Sequence, residues 1–151
     1  MMVVKRTNSD NLDFQKLSKA LDDSLETYYK EEGFFYETLN AIDKINHVII
    51  VYNENDIPIG CGGIKVYSKD EIEIKRMYVP ISQRRKGIGT IVLNALEKWA
   101  HEMHYKTCIL ETLKEKPYAI NFYKKNNYKV IPNFAAYKNA KSSICFIKNM
   151  E

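Results

Sequence analysis

The 151-residue sequence has no apolar run near the roughly 20 residues that a membrane-spanning helix requires. Its first residues, Met1-Met2-Val3-Val4-Lys5-Arg6, lack the apolar stretch and small-residue cleavage site of a secretion signal. Both absences lead to the expectation of a cytoplasmic protein with no membrane partner. Cysteine is scarce: Cys61, Cys108 and Cys145 are three, odd in number and far apart. They form no disulfide framework and lack the paired CxxC spacing of a zinc site, so reduced, buried thiols and no metal are expected. Charge of one sign is also in short supply. The 23 basic and 19 acidic residues leave a net charge of +4 and are spread along the chain, whereas nucleic-acid binders concentrate theirs. No nucleic-acid partner is expected. Internal repeats, low-complexity tracts and linkers are missing as well.

What remains is an ordinary globular composition, 45% apolar and 28% charged. The length fits one domain, 1–151, large enough to bury a core without cross-links. Val3 to Arg6 reads as a short strand. Asp10 and Asn11 are helix-capping types, and Phe14, Leu17, Leu21, Leu25 and Tyr28 then recur at helical spacing. Glu31-Glu32-Gly33 interrupts that helix, and Phe35, Leu39 and Ile42 suggest a second one. Three strands joined by short turns follow: His47 to Tyr52, Ile57 to Val66, and Glu71 to Val79, the last stopped by Pro80. Ile88, Val92, Ala95, Leu96, Trp99 and Met103 mark one face of a long helix, and Thr107 to Glu111 is a strand after it. Pro117 fits the first turn of another helix, which Asn126-Asn127 ends. Tyr128 to Ile131 and Ser143 to Lys148 are the last strands. The order β-α-α-β-β-β-α-β-α-β-β includes a strand–helix–strand crossover from Met77 to Leu110, which requires a parallel pair and hence an α/β fold with a mixed sheet.

One segment carries chemistry. The strand Glu73 to Val79 runs into Pro80-Ile-Ser-Gln-Arg-Arg-Lys-Gly-Ile-Gly-Thr90, and a helix begins at once. The first N–H groups of a helix have no internal partner and sit at the positive end of its dipole. Gly87 and Gly89 allow close backbone approach, and Arg84, Arg85 and Lys86 add charge. A phosphate or diphosphate is the natural guest. A P-loop would need Lys-Ser/Thr after the glycines, and a dinucleotide fingerprint would need glycine where Val92 stands. A basic turn that merely starts a helix is the structural alternative.

Arg84-Arg-Lys-Gly87-Ile-Gly89 resembles the R/Q-x-x-G-x-G/A signature of the GNAT acetyltransferases, placed between the same strand and helix. Ile109-Leu-Glu-Thr112 resembles the family's fifth strand, and Pro117 to Tyr128 its fourth helix and the strand entry after it. The resemblance spans nearly the whole chain. It implies a GNAT acyl-CoA N-acyltransferase fold and acetyl-CoA as co-substrate, with the diphosphate on the backbone of Arg84, Arg85, Lys86, Gly87, Ile88, Gly89 and Thr90. The pantetheine arm would run beside Met77, Tyr78 and Val79, where family members carry a strand bulge. Acetyl transfer by direct attack on a primary amine is implied, a small molecule favoured over a protein amine.

By position, Glu73 matches a catalytic glutamate of several members, with Glu111 its rival; Lys75, two residues on, offers Glu73 a purely ion-paired role instead. Tyr123 matches the tyrosine that commonly protonates the departing thiolate, although Phe122 and Tyr128 also allow a core role. Tyr29, Phe34, Tyr36, Glu111, Phe134 and Tyr137 are the expected acceptor contacts. Lys116 stands where an asparagine is customary and either meets CoA or is solvated. His101 and His104 share helical i, i+3 spacing without a third ligand, and Gly60-Cys-Gly-Gly63 suggests a bulge or close packing. The rival function is a non-catalytic CoA-binding sensor; a monomer and a homodimer are both open.

Overall fold

The computed structural model describes residues 1–25 and 44–150; the expected second helix around Phe35, Leu39 and Ile42 lies outside them, as do Tyr28, Tyr29, Phe34 and Tyr36. Strand β1 (Val3–Thr7) precedes helix α1 (Leu12–Leu25). Asn11 starts α1: its Oδ1 accepts the N–H groups of Asp13 and Phe14 at 2.9 and 3.1 Å, satisfying donors that the helix leaves open. Strands β2 (His47–Tyr52), β3 (Pro58–Val66) and β4 (Glu71–Tyr78) form antiparallel neighbours, as the hairpin turns predict. Helix α2 (Ile88–Glu102), strand β5 (Thr107–Leu113), helix α3 (Pro117–Lys125), and strands β6 (Lys129–Ile131) and β7 (Ser143–Asn149) complete the order. The seven strands lie side by side as β1-β2-β3-β4-β5-β7-β6, and β4 with β5 is the parallel pair that the crossover required.

Alternation along the strands sorts the core onto two faces. Val48, Ile50 and Cys61 pack under Phe14 and Leu17 of α1. Ile49, Val51, Ile72, Ile74, Leu110 and Phe146 pack under Val92, Leu93 and Leu96 of α2, joined by Tyr123 of α3. The helices therefore cover opposite sides of the sheet. All three cysteines are buried and free of disulfides. Helix α3 ends in the left-handed turn foreseen for its asparagines: Asn127 has φ +73°, and the N–H of Tyr128 reaches back to the carbonyl of Tyr123 at 3.0 Å. His104, in contrast, does not share a helix with His101. Helix α2 stops at Glu102, and His104 turns away at φ +70°. No helix among the described residues is long and apolar enough to cross a membrane.

Two irregularities in β3 and β4 prepare the site. The pairing runs Gly63↔Lys75 and then Cys61↔Tyr78, so Gly62 alone faces both Arg76 and Met77. This is a β-bulge with the extra residue in β4. The glycines of β3 are needed for packing: a Cβ at Gly62 would lie 2.6 Å from Met77 Sδ, and one at Gly60 would lie 2.6 Å from Ile88 Cγ2. Ile88 is the first residue of α2, so Gly60 sets how closely the start of that helix approaches the sheet. The Ile88 methyl is β-branched and has little room to retreat. Gly60→Ala is expected to lower stability by about 1–3 kcal/mol, measured as a shift in the urea midpoint.

Candidate active site

The site begins at a gap in the sheet. β4 and β5 pair only over Glu71↔Thr107, Ile72↔Cys108 and Glu73↔Ile109; beyond Glu73 they part, while β5 stays paired with β7 as far as Leu113↔Ser143. The bulge at Arg76 and Met77 bends β4 away from its parallel neighbour. The gap joins the two faces of the sheet. Glu73 and Glu111 alternate with the α2-facing residues Ile72, Ile74 and Leu110, so both carboxylates lie on the α1 face. Tyr123 comes from α3 on the other face, yet lines the same small cavity of about 80 Å³ with Glu73, Glu111, Lys75, Lys116 and Tyr137.

A second, larger cleft of about 930 Å³ runs from the start of α2 to Tyr123, within the usual size range of sites for cofactor-sized ligands. Met77, Tyr78, Val79, Arg84, Arg85, Gly87, Ile88, Gly89, Thr90, Lys116 and Tyr123 all line it. Gly87 caps α2 at φ +79°, a conformation that suits glycine, with no side chain capping the helix. The N–H groups of Ile88, Gly89 and Thr90 thus start α2 without an intrahelical acceptor. Gly89 lets α3 come close, since a Cβ there would be 3.2 Å from the ring of Phe122.

The three cations of the turn are not equivalent. The Arg84 guanidinium turns inward, donates Nε–H to the Val79 carbonyl at 2.8 Å and lies 5.3 Å over the Tyr118 ring. It ties the end of β4 to the turn rather than presenting a bare charge. Lys86 lies outside the cleft lining, is exposed, and bonds Gln83 Oε1 at 3.3 Å. Arg85 is exposed at the cleft rim.

Around the carboxylates, the segment between β6 and β7 supplies donors. Asn133 Nδ2 bonds the carbonyls of Tyr137, Ala140 and Ser143 at 3.1, 3.3 and 3.2 Å, which shapes this loop. Tyr137 Oη then donates to Glu73 Oε2 at 3.3 Å, and Ser143 Oγ to Glu111 Oε2 at 2.5 Å. Lys75 Nζ stands 3.9 Å from Glu73 Oε2, so the anticipated ion pair is present. Burial raises the Glu73 carboxyl above the usual carboxylate range, with Lys75 pulling against it. Burial also pushes Glu111 up to about 7, helped by the charge of Glu73. Lys116 is half-buried, so the solvated alternative does not hold; desolvation, with Arg84 nearby, lowers it to about 8. Burial raises the Tyr123 hydroxyl well above its ordinary value, which keeps it protonated. Burial pushes the Cys61 and Cys108 thiols up to about 12, unsuited to a nucleophile at neutral pH. Phe134 lines neither cavity; its ring packs edge-on against Tyr137 and Tyr67 and supports the loop from behind.

The acetyltransferase (GNAT) family model matches residues 14–128, most of the chain. The protein belongs to the GNAT family of acetyltransferases. It is 31% identical over 108 residues to the "Uncharacterized N-acetyltransferase YjcF" of Bacillus subtilis, covering 70% of this chain and 73% of that one. The fold matches a candidate acyl-CoA N-acyltransferase from Klebsiella pneumoniae with a TM-score of 0.84 at 23% identity, over 100% of this chain and 99% of that one. It also matches the PaiA N-acetyltransferase of Thermoplasma acidophilum, solved in complex with coenzyme A, with a TM-score of 0.70 at 17% identity over 99% of both chains. This GNAT protein is therefore an acetyl-CoA-dependent acyltransferase, and its large cleft leads from a helix N-terminus to a buried tyrosine that also lines the small cavity of the two carboxylates.

Sequence reasoning passed over Leu21, Leu25 and Arg76, all of which line the small cavity. Arg76 left a trace: it follows Ile72 and Ile74 at an inward period-2 position, where arginine is out of place. The raised Glu111 carboxyl yields a pH test. Its folded pKa of about 7 lies above the ordinary 4.5, so the fold holds the proton more tightly and ionisation between those values destabilises it. Relative to Glu111→Gln, the native protein should lose stability as pH rises through that window, by up to about 3 kcal/mol. Urea midpoints of both proteins at pH 5 and pH 8 measure the difference.

Proposed function

We propose that this GNAT protein transfers an acetyl group from acetyl-CoA to a primary amine by direct attack within a ternary complex. The observation that carries the reading is the continuity of the large cleft from the start of α2, past the β4 bulge, to Tyr123. The diphosphate rests on the N–H groups from Gly87 to Thr90. The pantetheine arm occupies the gap beside Met77 and Val79 in the manner of an added strand, in the space that opens once β5 has parted from β4. A backbone N–H at Met77 or Tyr78 polarises the thioester carbonyl.

The acceptor must arrive neutral or be made so. An ordinary alkylamine with a pKa near 10.4 is about 1 in 2,500 neutral at pH 7, a deficit of about 4.6 kcal/mol. Glu73 takes that proton, directly or through water. Its raised pKa is compatible with this role, as is that of Glu111, because a base works best when its pKa lies near the operating pH. Glu111 is the second carboxylate of the same cavity and holds the amine. The amine nitrogen forms a bond to the thioester carbon, the carbon–sulfur bond breaks, the thiolate takes a proton from the Tyr123 hydroxyl, and the proton that the acylated nitrogen then sheds restores the tyrosine. The narrow inner cavity under Leu21, Leu25 and Tyr137 favours a small amine.

Calorimetry with CoA tests the binding half of this reading; no heat of binding would end it. In an acetyl-CoA consumption screen across amine classes, Tyr123→Phe should lower turnover by about 10²–10⁴-fold with CoA affinity kept. Glu73→Gln should lower it in the same range at pH 7, whereas Glu111→Gln should chiefly raise the acceptor KM. CoA binding without transfer to any amine would favour the sensor reading instead.

A further inference from the structure

Arg76 occupies a position where the strand pattern calls for an apolar residue. Regular alternation from Ile72 and Ile74 would bury residue 76 under α2. The bulge reverses this. Arg76 takes φ +58°, Met77 joins the α2 face in its place, and the arginine side chain crosses to the α1 face. There Nε donates to Ser18 Oγ at 2.7 Å, and Nη2 donates to the Ser18 carbonyl at 2.7 Å and to Asp22 Oδ1 at 2.8 Å. The Arg76 carbonyl accepts the Cys61 thiol at 3.5 Å.

Two costs meet at this residue. A non-glycine residue in the left-handed region is strained, and a guanidinium only 5% exposed must have its donors satisfied. The left-handed backbone aims the side chain at α1, and the bonds to Ser18 and Asp22 compensate both costs. The bulge and α1 are thereby fixed to each other. Helix α1 supplies Leu21 to both cavities, Leu25 to the inner one and Ser24 to the outer cleft.

We infer that Arg76 is a positioning residue: anchored on Ser18 and Asp22, it holds the β4 bulge that keeps the gap beside β5 open for the pantetheine arm. The inference rests on the acetyl-CoA reading above. Arg76 acts through the backbone of Met77 and Tyr78 and does not touch the reacting atoms. Within the CoA cleft its influence falls chiefly on the pantetheine half, because the diphosphate turn is shaped by Gly87 and the start of α2.

The test compares two ligands in calorimetry: CoA, and 3′-phosphoadenosine 5′-diphosphate, which is CoA without its pantetheine arm. The proteins are the native chain, Arg76→Lys and Ser18→Ala. Arg76→Lys, which cannot reach both Ser18 and Asp22 with a fork of donors, should bind CoA about tenfold more weakly, and Ser18→Ala about threefold more weakly. Both should bind the nucleotide fragment within about twofold of the native chain. Equal losses for the two ligands, or undiminished CoA affinity, would overturn the inference while leaving the acetyl-CoA reading intact. A native chain that binds neither ligand would overturn both. Should Arg76→Lys fail to fold, the same comparison on Ser18→Ala decides the matter.

Discussion

Two parallel strands that stop exchanging hydrogen bonds in the middle of a sheet open a gap between them. Here that happens between β4 and β5 immediately after Glu73 and Ile109. A separation of this kind opens space within the sheet of the shape that an extended ligand arm can enter. The rest of the site follows from this separation. The bulge at Arg76 and Met77 bends β4 outward, Gly62 leaves room opposite the extra residue, and β7 holds β5 in line. The helix N-terminus at Gly87 stands where β4 delivers the chain, so the anion site and the gap share one cleft.

The gap also brings together side chains that the sheet would otherwise keep apart. Glu73 and Glu111 belong to the α1 face and Tyr123 to the α2 face, yet all line one cavity. Two carboxylates and two lysines in this small volume oppose each other. Burial raises both acids, while Lys75 and the donors Tyr137 and Ser143 favour their ionised forms. The acids are thus brought nearer neutrality, and the tyrosine is kept protonated by burial.

Much of this was legible in the residue order. Among the described residues, periodicity located the helices and strands to within about two residues, because each buries one face and the apolar spacing records which. The bulge was less legible because a strand pattern tolerates one extra residue without losing its hydrophobic character; the family resemblance implied one near Met77, and in the residues themselves the misplaced Arg76 is its trace. Phe134 was assigned to the pocket on its neighbourhood in sequence, but Asn133 folds the loop so that Tyr137 faces the carboxylates and Phe134 stands behind it. Lys116 looked like a surface residue, yet helix α3 begins there against the cleft and desolvates it.

The sequence by itself determined the mixed sheet, the basic glycine turn that starts α2 and the family, since these rest on local spacing: apolar period, turn residues, and glycines next to a basic run. Only the tertiary structure decided which charges act. Arg84 is turned onto a strand end, Arg76 is drawn through the bulge to α1, and two carboxylates 38 positions apart in the chain come to share one cavity with a tyrosine from the opposite face. Such pairings depend on strand register and on a bulge, which local propensity does not encode; they are set by which backbone groups find partners when the whole sheet closes.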